Sequence, residues 1–195
     1  MIDEIKNNIK RLIAVDFDGC LINSFSPEAG KLMYEKYYQK KFPWNGWWGR
    51  PESLDLNVFD IKPFPSVLNQ LKEEQAKPNT YVIILTSRME KLRPQVQAVL
   101  DVNHIVVDKL VMRHAESDKG KKILRYLIEF PELNEINVYD DRDKDIQSYI
   151  AIRNQIPKDI RFNIYLAKEG KISLLENKFK ILNIIREEIR NILKN

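Results

Sequence analysis

The sequence predicts an α/β protein with a central, mostly parallel β-sheet covered by helices. Short runs of apolar and β-branched residues recur along the chain, helical patterns lie between them, and polar residues directly follow three of the runs. This alternation is typical of βαβ units and a parallel sheet. Because open α/β sheets bind ligands at the carboxyl ends of their strands, the polar residues there are candidate functional groups.

Five runs predict strands and four patterns predict the helices between them. The strand runs are residues 13–15, 81–85, 104–112, 136–139 and 161–166, and the helical patterns are residues 65–75, 90–100, 117–130 and 143–152. We expect residues 1–170 to form one catalytic domain. Residues 171–195 carry apolar residues at helical spacing, which predicts an amphipathic helix that packs on the domain or on a partner.

Residues 21–63 interrupt the alternation after the first strand. They include a candidate helix at 28–40 and all three tryptophans, which fall within residues 44–48 between glycines and prolines. This composition favours a compact excursion over a strand interior. Its position just after a strand end is where a lid or a substrate-recognition element lies, so we predict a small cap-like insertion.

Length and composition restrict the class of protein. A chain of 195 residues with 44% hydrophobic and 31% charged residues fits one domain, or one domain with a small insertion. No apolar stretch approaches the roughly 18–20 residues that cross a bilayer. The single cysteine, Cys20, excludes an internal disulfide framework, so we expect a cytoplasmic protein. The net charge of +4 is compatible with a polyanionic substrate and also with an ordinary basic surface.

The first strand ends in two carboxylates, Asp16 and Asp18, followed by Gly19. Two acids this close repel each other unless a cation lies between them, and Mg²⁺ with oxygen ligands is the usual solution. A carboxylate in this position can also accept a phosphoryl group as a nucleophile. A second acid beside it can protonate the leaving oxygen and then activate water.

Two further motifs carry groups that bind phosphate. Thr86-Ser87-Arg88 follows the second strand and offers hydroxyl and backbone N–H groups together with a planar cation. A lysine cluster opens the helix at 117–130. Lys121, three residues before Leu124 and seven before Ile128, is predicted to face inward, and Lys119 is nearly as good a candidate.

The last motif is Asp140-Asp141, which follows the fourth strand and can complete an oxygen cage for Mg²⁺ beside Asp16. Each motif alone has an ordinary explanation as a turn, a helix cap, a solvated helix end or a surface acid. Their order along the chain, with three of the four directly after a strand, favours one shared site.

Together these motifs resemble those of the haloacid dehalogenase (HAD) superfamily of phosphotransferases. The resemblance implies a Rossmann-like three-layer sandwich, Mg²⁺ as cofactor and an aspartyl-phosphate intermediate. Asp16 is implied as the nucleophile and Asp18 as the general acid/base, with Thr86 and Lys121 as the second and third motifs. The metal is implied to be held by Asp16, by the backbone carbonyl of Asp18 and by the Asp140-Asp141 pair.

A narrower resemblance covers most of the chain. Residues 45–51, 85–88 and 139–142 are similar to the HAD branch called Swiss Army Knife RNA repair-like proteins. That branch implies a phosphatase acting on nucleic-acid ends or nucleotides. The rivals are a small-metabolite phosphatase, a phosphotransferase or mutase of the same superfamily, and a non-catalytic binding module with the same fold.

The tryptophan loop is the main indication of substrate. Trp47 and Trp48 could stack on a nucleobase, and Arg50, Ser87 and Arg88 could bind its phosphate. The alternative is a hydrophobic plug that anchors the insertion, because tryptophan is highly buried on average. Both interpretations can hold at once.

Overall fold

The described residues, 8–116 and 118–175 of the computed structural model, contain one six-stranded sheet. Its strands are β1 (Arg11–Val15), β2 (Thr80–Met89), β3 (Lys109–Arg113), β4 (Glu135–Asp140), β5 (Arg161–Lys168) and β6 (Lys171–Leu174). They lie in the order β3-β2-β1-β4-β5-β6, and every neighbouring pair is parallel except β5 and β6. The predicted mostly parallel sheet is confirmed, with β1 near its centre.

Helices cover both faces of this sheet. They are α1 (Pro27–Tyr38), α2 (Pro65–Gln75), α3 (Arg93–Val102), α4 (Lys119–Glu129) and α5 (Asp143–Ile152). Successive side chains of a strand point to opposite faces. Ile13 and Val15 of β1 therefore pack in a core with α2 and α3, whereas Leu12 and Ala14 pack in a second core with α4 and α5. The predicted three-layer, Rossmann-like sandwich is confirmed.

Among the described residues, no helix is long and apolar enough to cross a membrane.

The end of the described chain differs from the prediction. Glu169 and Gly170 both have positive φ angles, 51° and 76°, and join β5 to β6 in a two-residue hairpin. A two-residue hairpin turn in which both residues have positive φ has a twist that matches the twist of the two strands that it joins. Lys171–Leu174 is therefore a strand and not the start of the predicted helix at 171–195. The rest of that prediction, from residue 176 onward, lies outside the described residues.

The two ends of the segment between β1 and α2 lie side by side and are joined by hydrogen bonds. The Asn23 N–H donates to the carbonyl of Lys62 at 2.9 Å, and the Phe64 N–H donates to the carbonyl of Leu21 at 2.9 Å. Its ends therefore coincide with the predicted insertion at 21–63. The division into a catalytic domain at 1–170 and a cap-like insertion stays a prediction.

Trp47 forms the centre of the insertion. Its side chain is buried and its indole N–H donates to the Phe25 carbonyl at 3.1 Å. The Trp47 ring meets Phe59 edge-on at 5.7 Å between centroids and leaves no room for a Cβ at Gly30 of α1. Trp47 therefore packs as the hydrophobic plug, one of the two interpretations of the tryptophan loop.

We predict that Trp47→Ala lowers the free energy of unfolding by about 3–5 kcal/mol, because it empties a filled core position. The matched control is Trp44→Ala, since the Trp44 side chain is 43% exposed and contacts chiefly Arg50 and Glu52. Trp44→Ala should lower the free energy of unfolding by less than about 1.5 kcal/mol. Urea unfolding of both variants measures the difference, and equal losses would contradict the burial of Trp47.

Candidate active site

The sheet topology brings three of the predicted motifs to one edge. Asp16 follows β1, Thr86 lies near the end of β2, and Asp140 ends β4. Because β1 lies between β2 and β4, these residues are neighbours at the carboxyl edge. The Asp16 N–H donates to the Tyr139 carbonyl at 2.9 Å, which extends the β1–β4 pairing up to the nucleophile candidate.

A buried lysine joins these carboxylates. The Lys119 side chain is 1% exposed, and its Nζ lies 2.5 Å from Asp16 Oδ1 and 2.7 Å from Asp140 Oδ2. A third carboxylate, Asp145, lies 3.4 Å away. Burial alone would lower the pKa of Lys119, but Asp16, Asp140 and Asp145 outweigh it and raise the pKa above its ordinary value. Lys119 is therefore a permanent positive charge beneath the site.

The carboxylates of Asp16, Asp140 and Asp141 form a group with metal-ligand spacing. One oxygen of each lies within 4.8 Å of the others. Asp141 Oδ1 is buried and has no hydrogen-bond partner among the described residues. Burial and the neighbouring Asp140 raise the pKa of Asp141 to about 6. An unpartnered buried oxygen within a set of hard oxygen ligands fits Mg²⁺.

The turn after β1 allows this close approach. Gly19 has a φ of 74°, and a Cβ at this position would lie 2.5 Å from Asp141 Oδ2. The Leu21 and Ile22 N–H groups donate back to the carbonyls of Asp16 and Phe17. A glycine is therefore needed here both for its backbone conformation and for the space that Asp141 occupies.

Thr86 lies buried beside this centre. Its hydroxyl oxygen accepts the Arg88 N–H at 3.1 Å, which leaves the hydroxyl proton available to an acceptor in the site. Ser87 is half-buried, and its hydroxyl accepts from Arg142 at 3.3 Å.

A cavity of about 530 Å³ adjoins this centre at Asp18, Ser87 and Asp141. Its walls carry both signs of charge and one aromatic side chain; they are Asp18, Gly19, Ser24, Trp48, Ser87, Arg88, Arg113, Asp141, Arg142, Lys144 and Asp145. This volume lies in the ordinary range of small-molecule sites and exceeds what a phosphate group alone fills.

No protein-family model and no curated protein sequence matches the chain. Solved structures do match it. The chain is similar to the HAD domain of the effector protein Lem4 from Legionella pneumophila, with 15% identity over 90% of this chain and 95% of that one, at a TM-score of 0.52. An inactive mutant of the same domain gives 16% identity over 90% and 94% of the two chains, at a TM-score of 0.50.

The chain therefore shares the fold of this HAD domain. The chain is also similar to a structure of the Pnkp1/Rnl/Hen1 complex, with 18% identity over 79% of this chain and 44% of that one, at a TM-score of 0.49. At these identities the likeness concerns the HAD fold alone, so the chemistry has to be argued from the side chains.

The structure corrects the choice of lysine within this HAD fold. Lys119, the second candidate, contacts Asp16 and Asp140, whereas Lys121 is exposed and lies 3.9 Å from Glu116. The prediction relied on Ile128 facing inward, but Ile128 is 87% exposed. The buried face of α4 instead follows Ile123 and Tyr126, four and seven residues after Lys119.

Arg88 also has a different position from the predicted one. Its Nε donates to Asp18 Oδ2 at 2.8 Å and its Nη2 donates to Asp18 Oδ1 at 2.7 Å. Its Nη1 donates to the Trp48 carbonyl and to the Ser53 hydroxyl, at 3.2 and 2.7 Å. Arg88 is thus buried between Asp18 and the insertion and is not free to bind a substrate phosphate. It positions Asp18, whose Oδ1 also accepts from Ser24 at 2.7 Å.

The pairing with Arg88 also separates the Asp18 side chain from the metal group. The carboxylates with metal-ligand spacing are Asp16, Asp140 and Asp141, without Asp18. A role of the Asp18 backbone carbonyl in holding a metal stays a prediction.

The tryptophan loop divides between the two interpretations. Trp48 is 42% exposed and lines the cavity, so it stays a candidate for substrate binding. Trp47 is buried in the insertion and does not line the cavity. Arg50 lies over the Trp44 ring at 4.4 Å, away from the cavity wall.

Sequence reasoning assigned no role to two supporting residues, Asp145 and Tyr149. Tyr149 donates its hydroxyl to Asp140 Oδ2 at 3.2 Å. Asp145 pairs with Arg142 through Nη2 at 2.7 Å and thereby fixes the loop that carries Asp141. Asp145 and Tyr149 lie four residues apart on the inner face of α5, a spacing that could have indicated a shared direction.

We predict that Lys119→Met lowers the free energy of unfolding by about 3–5 kcal/mol, because it leaves buried carboxylates without their cation. Lys121→Met, which removes an exposed charge from the same turn, should change it by less than about 0.5 kcal/mol. Urea unfolding without Mg²⁺ tests this pair, and equal stability of the two variants would contradict the assignment of Lys119.

We predict that Asp141→Asn weakens Mg²⁺ binding about tenfold or more, because it removes the carboxylate with the unpartnered oxygen. Asp143→Asn is the matched control, since Asp143 is an exposed acid in the first turn of α5. Isothermal titration with MgCl₂ measures both affinities. Undiminished binding by Asp141→Asn would place the metal elsewhere.

Proposed function

We propose that the chain is a Mg²⁺-dependent phosphomonoesterase that forms an aspartyl-phosphate on Asp16. The observation that carries this proposal is the buried Lys119, which bridges Asp16 and Asp140 beside the unpartnered oxygen of Asp141. A buried ammonium group among carboxylates keeps a nucleophile in place and offers positive charge to a phosphoryl group. Mg²⁺, held by Asp16, Asp140 and Asp141, would neutralise charge on the phosphoryl oxygens.

In the first half of the reaction, a carboxylate oxygen of Asp16 attacks phosphorus in line with the ester bond. The P–O bond to the leaving group breaks, and Asp18 gives its proton to the departing oxygen. Lys119 and the Thr86 hydroxyl stabilise the charge on the transferred group. The buried position of Thr86 favours this role, since it keeps the hydroxyl in a fixed direction.

In the second half, Asp18 takes a proton from a water molecule as that water attacks the phosphorus of the aspartyl-phosphate. The bond between phosphorus and Asp16 breaks, which releases inorganic phosphate and restores the Asp16 carboxylate and the protonated Asp18. Arg88 and Ser24 orient Asp18 towards the cavity, and their hydrogen bonds suit the carboxylate form that acts as the base.

The substrate class that we propose is a nucleic-acid terminal phosphate or a nucleotide. Support comes from Trp48, an exposed aromatic side chain on the cavity wall, and from a cavity larger than a phosphate group. A tryptophan face stacks on any base and contributes about 1–3 kcal/mol. Small-metabolite phosphatase, phosphotransferase and non-catalytic module stay as alternatives that the following experiment separates.

We predict that the purified protein hydrolyses p-nitrophenyl phosphate with Mg²⁺, and that Asp16→Asn lowers kcat by a factor on the order of 10³ or more, because the amide is a poor nucleophile. Release of p-nitrophenol measures both, and far-ultraviolet circular dichroism checks that the variant is folded.

Three outcomes decide among the alternatives. Undiminished turnover by Asp16→Asn would remove the covalent mechanism. Absence of turnover in the unmodified protein would favour a binding module, and an increase in rate with added alcohol acceptors would favour a phosphotransferase. A panel of nucleotides, short phosphorylated oligonucleotides and sugar phosphates then separates the substrate classes. If added salt lowers the activity steeply on oligonucleotides and not on the small substrates, the substrate is a polyanion.

A further inference from the structure

The cavity contains cations that the proposed chemistry does not use. Arg113 ends β3, Arg142 follows β4, and Lys144 lies in the first turn of α5; all three are exposed and line the cavity. Arg142 is held by Asp145 and by the Ser87 hydroxyl. Among the described residues, neither Arg113 nor Lys144 has a carboxylate within ion-pair distance. Two positive side chains therefore face the cavity without an anion.

These two cations lie on opposite sides of the reacting centre. β3 lies two strands away from β1 on one side, and β4, which leads into Lys144, is the next strand on the other. Neighbouring strands are about 4.8 Å apart, so Arg113 stands well to the side of Asp16. The reacting phosphate, placed above β1, has Lys119 and Thr86 close by and does not need Arg113.

Trp48 lies on the same side as Arg113. The loop after Trp48 crosses the end of β2, where a Cβ at Gly49 would touch the Met89 side chain at 3.1 Å. Met89 is in turn the register partner of Arg113. The aromatic ring and the unpaired guanidinium group therefore border the same end of the cavity.

Trp48 is also held rigidly in this position. Its carbonyl accepts from Arg88, and the Arg88 guanidinium lies over its ring at 5.5 Å from the centroid. One face of the indole is thus occupied by a buried cation, while the side chain as a whole is 42% exposed. A fixed and partly exposed ring loses little conformational freedom when a flat group stacks on it.

From this arrangement we infer a second-anion subsite formed by Arg113 beside Trp48, which takes a second phosphate on the leaving group of the substrate. The preferred substrates are then phosphomonoesters whose leaving group carries both a flat ring and another phosphate. Nucleoside bisphosphates and the ends of oligonucleotides share this chemistry. The inference rests on the proposed phosphomonoesterase activity and narrows its substrate class.

The test compares kcat/KM for a nucleoside 5′-monophosphate, the nucleoside 3′,5′-bisphosphate and a 5′-phosphorylated dinucleotide. We expect the second phosphate to raise kcat/KM about fivefold or more, a factor that one charge-assisted contact can supply. Arg113→Gln should remove most of this preference, and Arg113→Lys should retain part of it. Lys144→Gln, which removes one charge from the opposite side, should leave the ratio between the substrates in place.

The outcomes separate this inference from the proposed function. Equal kcat/KM values for the mono- and bisphosphate, or the same loss of preference in Arg113→Gln and Lys144→Gln, would overturn the subsite while hydrolysis of p-nitrophenyl phosphate upholds the phosphatase. If no phosphate ester is hydrolysed, the proposed function fails, and calorimetry of the same three compounds decides the subsite by binding. A preference for the dinucleotide over the bisphosphate identifies a strand end as the source of the second phosphate.

Discussion

The contact of one buried lysine with the carboxylates at the sheet edge determines the rest of the site. Lys119 Nζ lies within hydrogen-bond distance of Asp16 and Asp140, which belong to neighbouring strands. Removing three charges from water is costly, and a buried ion pair seldom stabilises a fold more than apolar residues would. The arrangement is therefore better explained by what it positions. It fixes the first turn of α4 against β1 and β4, and it keeps two carboxylates close enough to share a metal.

The charges of the site then require further partners. Five carboxylates (Asp16, Asp18, Asp140, Asp141 and Asp145) meet three cations (Lys119, Arg88 and Arg142), which leaves an excess of two negative charges. A divalent cation at Asp141 would neutralise that excess. A substrate with a second phosphate on its leaving group then brings further negative charge, and the unpaired Arg113 offers a positive charge at the mouth of the cavity, with Lys144 on the opposite side. Formal charge thus connects the metal proposal with the substrate proposal.

The strands that lead to the site were predictable from the sequence because a buried strand has a simple local signal, although β2 runs to Met89 and not only to residue 85. The apolar runs before Asp16, Thr86 and Asp140 identify strands whatever their neighbours are, and parallel pairing brings their ends together. Which face of a helix is buried has no comparably simple signal in the sequence when both faces carry apolar residues. Ile128 suggested the wrong face of α4, and only the packing of Ile123 and Tyr126 against the sheet decides for Lys119. The partners of Arg88 were likewise inaccessible, since the chain returns to it from a distant loop.

That distant loop makes the insertion part of the chemistry. Arg88 donates to Asp18 with one edge of its guanidinium and to Trp48 and Ser53 with its remaining nitrogen. Because both sets of bonds share one rigid planar group, a shift of the tryptophan loop also moves the support of the proposed acid/base. Trp48, which is proposed to contact the leaving group, and Asp18, which would protonate it, are thus connected through the Arg88 side chain. A substrate that stacks on Trp48 would stabilise the same arrangement that holds Asp18, so recognition of the leaving group and proton transfer to it depend on each other.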